Sequence, residues 1–92
     1  MRVVKEEGKF ALKEGERTLS WIVFEENDAV HLIETATAEG EEGKGYASKL
    51  VVEVLKILEG KNVKVSCPYI KRVIEKKNLS GKFEYTQLLR LK

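Results

Sequence analysis

The apolar pattern of this chain changes period once, and a glycine-rich loop marks the change. Before the loop, residues 1–37 read as strands. Val3-Val4 makes a short apolar start, and Phe10 and Leu12 alternate with Ala11 and Lys13 before a turn at Glu14-Gly15-Glu16. Thr18 to Phe24 is a strongly β-prone run, with Leu19, Trp21 and Val23 on one side and Ile22 and Phe24 on the other. Apolar residues on both sides predict a strand covered on both faces. Asn27-Asp28 is a turn signal, and Ala29 to Thr37 is the next strand. The loop Glu39-Gly40-Glu41-Glu42-Gly43-Lys44-Gly45 follows. Beyond it Ala47, Leu50, Val51, Val54, Leu55 and Leu58 recur as one stripe of a helix, with Gly60 at the expected C-terminal cap.

Val63 to Ser66 then reads as a short buried strand, and Pro68 suits the first position of a second helix whose apolar side is Ile70, Val73 and Ile74. Asn78 and Gly81 end that helix. Phe83 to Leu91 fits a final strand, although Leu88-Leu89 also fits a helix; the strand reading is preferred. The order predicts a mixed α/β (α+β) fold: a mainly antiparallel sheet with two helices and a central β-loop-α-β unit. Such a unit requires two neighbouring strands of the same direction. With 92 residues the chain is read as a single domain, 1–92.

Composition excludes several function classes. The formal net charge is only +2, and Lys and Glu are interspersed, which argues against nucleic acid as the main partner. A small RNA-binding domain rests on the basic second helix alone, where Lys71, Arg72, Lys76 and Lys77 cluster. Such charges more often form a solvated face. There is no long apolar run and no signal-peptide pattern, so no membrane role and a cytoplasmic location are expected. One cysteine, Cys67, precludes an internal disulfide, and one histidine, His31, leaves no ligand set for a metal, so none is expected.

The loop from Thr37 to Ala47 joins a strand to a helix. A helix N-terminus carries unpaired N–H groups and a partial positive charge. Glycines let the backbone approach a bulky anion. The segment is therefore a candidate phosphate cradle. Gly43-Lys44-Gly45 alone is also compatible with a plain flexible connection, and it has neither the dinucleotide fingerprint nor the nucleoside-triphosphate loop spacing.

Taken in order, Glu34-Thr35-Ala36-Thr37, then Gly43-Lys44-Gly45-Tyr46-Ala47, Leu50-Val51 and Cys67-Pro68-Tyr69-Ile70 resemble a known motif. They look like the acetyl-CoA-binding segment of the GCN5-related N-acetyltransferases, and in particular of their small stand-alone acetyltransferase-like subfamily. The resemblance spans roughly residues 10–79. It implies a minimal acetyltransferase-like fold, acetyl-CoA as acyl donor, and an unidentified amine or protein as acceptor. It further implies that the backbone of Thr35, Ala36 and Thr37 pairs with the pantetheine arm. Gly40, Glu42, Gly43, Lys44, Gly45, Tyr46 and Ala47 would hold the pyrophosphate. Tyr69 would reach the cofactor, with packing as the equal alternative for both tyrosines, and Lys71, Arg72, Lys76 and Lys77 would meet the 3′-phosphate of CoA unless they form a plain solvated face. A second copy could complete an open pocket. Three positions differ from the pattern. Gly40 stands where the superfamily usually has Gln or Arg, Glu42 where the subfamily often has Arg, and Glu34 where it often has His. Glu39, Glu41 and Glu42 oppose a bound anion unless they point outward.

Acetyl transfer needs a neutral amine, donors for the developing oxyanion and a proton for the leaving thiolate. Cys67 stands at the N-cap before Pro68, where a helix dipole favours a thiolate; it is a candidate acetyl acceptor or proton donor, or simply a small buried residue. Glu34 is the candidate general base if it is buried among Leu32, Ile33 and Ala36, and a solvated sheet position if it is not. His31 shares a strand with these residues and is read as structural. A non-catalytic CoA-binding or protein-interaction module that kept the fold is the alternative.

Overall fold

The structure is a computed structural model that describes residues 1–91. Lys92, the last residue of the expected domain, lies outside the described residues. The chain runs β1 (Arg2–Glu6), β2 (Lys9–Glu14), β3 (Arg17–Glu26), β4 (Val30–Thr37), α1 (Tyr46–Ile57), β5 (Asn62–Val65), α2 (Pro68–Lys77), α3 (Leu79–Lys82) and β6 (Gln87–Arg90). The strands form one sheet in sequence order. The first four are antiparallel neighbours, whereas β4 pairs with β5 and β5 with β6 in parallel. The predicted mixed, mainly antiparallel sheet is therefore present, with α1 as the crossover between the two parallel central strands.

One face of the sheet carries the core. Phe10 and Leu12 of β2, Ile22 and Phe24 of β3, Val30 and Leu32 of β4, and Val63 and Val65 of β5 are buried in a cluster with Leu50, Val51, Val54 and Leu55 of α1 and Ile70 and Ile74 of α2. Phe10 and Phe24 stack with ring centroids 4.5 Å apart. The four α1 residues are fully buried, each contributing roughly 1.5–3 kcal/mol. The helix exists because its stripe meets this sheet face.

The other predicted side of β3 meets the expectation only in part, because Leu19 is buried and its companions are not. Trp21 and Val23 are only half-buried, and their cross-strand rows run Ala11–Trp21–Ala36 and Lys9–Val23–Glu34. The Lys9 ammonium lies 5.8 Å from the Trp21 ring. Thus β3 is covered by helices on one side only, and its apolar run overstates its burial. Both helices contribute their apolar stripes to the same core cluster.

The C-terminal segment also differs in detail. Leu79–Lys82 forms a single helical turn in place of a plain stop, and the final strand begins only at Gln87. Phe83 to Thr86 is held by the turn after α1 instead of by a strand. The Gly60 N–H donates to the Glu84 carbonyl at 2.7 Å, the Thr86 hydroxyl donates to the Gly60 carbonyl at 2.6 Å, and the Tyr85 hydroxyl donates to the Leu55 carbonyl at 2.6 Å. Burial, aided by nearby Glu59, pushes the Tyr85 phenol up to about 12. Among the described residues, no helix is long and apolar enough to cross a membrane.

Candidate active site

The site begins with a defect in β4. Val23 pairs with Glu34 and the next residue, Phe24, pairs with Leu32, so Ile33 is an extra residue bulged out of the β3–β4 ladder. A bulge bends its strand and strengthens the local twist. Parallel pairing with β5 stops beside it, at Leu32 and Val65, and the last link is the Ser66 N–H to the Leu32 carbonyl at 3.1 Å. Beyond that point β4 and the chain entering α2 part, and Glu34 to Thr37 have β3 on one side only.

Hydrogen-bond alternation decides which backbone groups face the opening. The Ala38 N–H donates to the Leu19 carbonyl, and the Ala36 carbonyl accepts from the buried Ser20 hydroxyl at 2.6 Å, so both residues face β3. Their alternates Thr35 and Thr37 point their N–H and C=O groups the other way, into the opening. Of the three predicted pairing residues, Ala36 has its backbone engaged by β3, while Thr35 and Thr37 present theirs to a ligand.

The loop then delivers the chain to α1. Gly43 and Gly45 have φ of +77° and +81°, a region that side chains rarely adopt, and a Cβ built on either meets nothing within 4 Å. Gly45 is the N-cap of α1, with no side-chain cap and no acid in the first turn. The N–H groups from Glu42 to Ser48 have no acceptor among the described residues, since the Lys49 N–H is the first to bond back, to Gly45. This run of unpaired donors borders a cleft of about 260 Å³ between Thr37, Gly43, Gly45 and Ala47, with Tyr46 and Tyr69 as half-buried walls and with Glu41 and Glu42 also lining it. Space, backbone freedom and unpaired donors suit a diphosphate, while the Glu41 and Glu42 carboxylates in the same lining oppose one.

The loop acids divide into two roles. Glu41 turns inward and is nearly buried; its carboxylate pairs with Arg17 at the start of β3 and with Lys44 at 2.9 Å. The Lys44 hydrogen bond is the main cause holding the Glu41 carboxyl below the usual range, and the same bond raises the Lys44 ammonium. Glu41 therefore anchors the loop, and Lys44 is committed to it. Glu42 is exposed and folds back, its two oxygens accepting the Gly40 N–H at 3.1 and 3.2 Å. The Gly40 amide assigned to the cofactor is thus held by the chain's own carboxylate.

The chemistry-bearing side chains lie along the opening. Cys67 is the N-cap of α2, buried, with its Sγ 3.5 Å from the Thr35 Oγ1. His31 Nε2 and the Ser66 Oγ are 2.9 Å apart, tying β4 to the chain just before Cys67. This contact lies where the two strands part. Glu34 is exposed on the outer face, so burial among Leu32, Ile33 and Ala36 does not act on it. No group of three or more His, Cys, Asp or Glu residues is placed to hold a metal among the described residues. Local pattern carries no signal for the Ile33 bulge or for the Arg17–Glu41–Lys44 anchor, because each depends on partners distant in the chain.

The parallel pairing of β4 and β5 thus ends beside a bulge, next to an uncapped helix N-terminus behind a glycine loop, in a mixed α/β domain. A family model described as GCN5-related N-acetyl-transferase matches residues 9–82, and the chain belongs to that family. None of the curated proteins compared with the chain matches it.

Proposed function

We propose that this protein binds acetyl-CoA in the opening beside β4 and transfers the acetyl group to a primary amine. The observation that carries this reading is the end of β4–β5 pairing at Leu32 and Val65, next to an α1 N-terminus with no side-chain cap. An extended pantetheine arm can add to the free edge of β4 through the main chain of Thr35 and Thr37, as a peptide adds to a sheet edge. The N–H groups from Gly43 to Ala47 suit the diphosphate.

Acetyl-CoA supplies an acyl carbon already activated as a thioester. The chain's own groups orient the arm, offer main-chain donors to charge developing on the carbonyl oxygen, and manage two protons. Glu34 lacks the burial on which its base role is conditioned, and it remains the exposed carboxylate beside Thr35 that can accept the proton of the incoming ammonium. Cys67, whose Sγ meets the Thr35 side chain, is assigned to protonate the departing sulfur, and the second proton shed by the attacking nitrogen restores its thiol. Calorimetric titration with acetyl-CoA and CoA tests binding, and mass spectrometry of a panel of amines and peptides tests transfer. Absence of heat with either ligand at millimolar concentration refutes the reading.

A binding-only module is the second reading, favoured by the Glu42 carboxylate on the Gly40 N–H and by the solvated setting of Glu34. Binding of acetyl-CoA with no acetylation of any amine or of Cys67 would select it.

A further inference from the structure

The face of the sheet that no helix covers carries an apolar row flanked by a charge pattern. Val4, Ala11, Trp21 and Ala36 are register partners across β1, β2, β3 and β4, so their side chains line up on that face. Trp21 and Ala36 stand outside the core cluster, and Trp21, the only tryptophan of the chain, is half-exposed. The next row runs Lys9–Val23–Glu34. Its two ends are exposed and opposite in charge, and neither has an ion-pair partner among the described residues. Glu6 and Lys13 neutralise each other at 2.9 Å. Glu25, exposed two residues beyond Val23 on β3, bounds the patch.

We infer that this patch receives a second copy of the chain, packed face to face about a two-fold axis that runs along β3. Such an axis sets Trp21 and Val23 against their own copies and lays β2 of each chain over β4 of the other. Lys9 of each copy then meets Glu34 of the other, across the gap of about 10 Å that separates stacked sheets. Ala11 faces Ala36, and these small side chains leave room for both indole rings. An axis laid across the strands along the same row would set Lys9 on Lys9 and Glu34 on Glu34, so the charge pattern selects the first arrangement. Four strands about 4.8 Å apart and three side-chain rows about 6.7 Å apart give roughly 400 Å² per copy, about half of what a standard stable interface buries on each side. The dimer is therefore weak and forms only at high protein concentration. It stands independently of acetyl transfer, and it withdraws Glu34 from an incoming ammonium, so transfer belongs to the monomer.

Sedimentation equilibrium of the full chain at low salt, from about 10 µM to about 1 mM, covers the range expected of so small an interface. The wild type should pass from monomer to dimer, and Trp21 fluorescence should move to shorter wavelength as the indole leaves water. K9E and E34K should each weaken self-association about tenfold or more, because either reversal turns two attractive contacts into repulsive ones. An equimolar mixture of K9E and E34K should recover dimers, since every charge then meets its opposite across the axis. Circular dichroism checks that both variants are folded. A wild type that stays monomeric throughout overturns the inference. A wild-type dimer that neither reversal weakens also overturns it, as does a mixture that associates no better than its components, since another surface would then make the contact.

Discussion

Removing the Glu42 side chain should tighten acetyl-CoA binding, because the wild-type residue already occupies part of the anion cradle. Its carboxylate accepts the Gly40 N–H through both oxygens, at 3.1 and 3.2 Å, from an exposed position. A bound diphosphate must either displace that carboxylate or share the loop with it. At a separation of about 6 Å in water, each like-charge pair costs about 0.7 kcal/mol. Physiological salt roughly halves that, so two phosphate charges together cost about 0.7 kcal/mol. Breaking the Gly40 bond adds about 0.5–1.5 kcal/mol, with the low end favoured by exposure. The sum is about 1–2 kcal/mol, so Glu42→Ala should bind acetyl-CoA roughly five- to thirtyfold more tightly. Glu42→Gln removes only the charge and should gain about threefold, from the screened like-charge cost just derived. Calorimetry at low and high salt separates the two parts, since only the like-charge part fades with screening. Unchanged or weaker binding by Glu42→Ala would refute the reasoning and indicate that Glu42 holds the loop in its receptive shape.

Other expectations follow from the same geometry. Gly45→Val forces a branched side chain into φ +81° at the α1 N-cap; it should cost about 1–2 kcal/mol of stability in denaturant melts and abolish acetyl-CoA binding even where the protein stays folded. Cys67→Ala should lower kcat about a hundredfold with little change in KM for acetyl-CoA, measured by thiol release; an equal effect on both constants would make the residue a packing group. Because the Tyr85 phenol is raised to about 12, the folded state keeps its proton at pH values where the unfolded chain has lost it. Stability should therefore fall as pH rises from about 10 to 12, and Tyr85→Phe should flatten that part of the Tm–pH curve while losing the bond to the Leu55 carbonyl.

Much of the fold was legible because it is written in local periodicity. The stripe Leu50, Val51, Val54 and Leu55 specifies α1 wherever an apolar face exists to receive it, and Pro68 starts α2 by its own ring geometry. Gly43 and Gly45 announced a loop, and the structure gives both the left-handed backbone that glycine adopts without steric penalty. The resemblance of the motifs around them led to the right family. Trp21 and Val23 misled, because apolar residues on both sides of a strand cannot say which side a helix will cover.

The sequence by itself determined the elements as far as α2, their order and the parallel unit around the glycine loop, because those follow from spacing along the chain. Only the tertiary structure decided the site. It bulged Ile33 so that β4 leaves β5 after Leu32, buried Glu41 between Arg17 and Lys44, and turned Glu42 onto Gly40. It also set Lys9 and Glu34 at the two ends of one row through Val23. Register shifts and ion pairs depend on which distant segment becomes a neighbour, and local pattern carries no record of that.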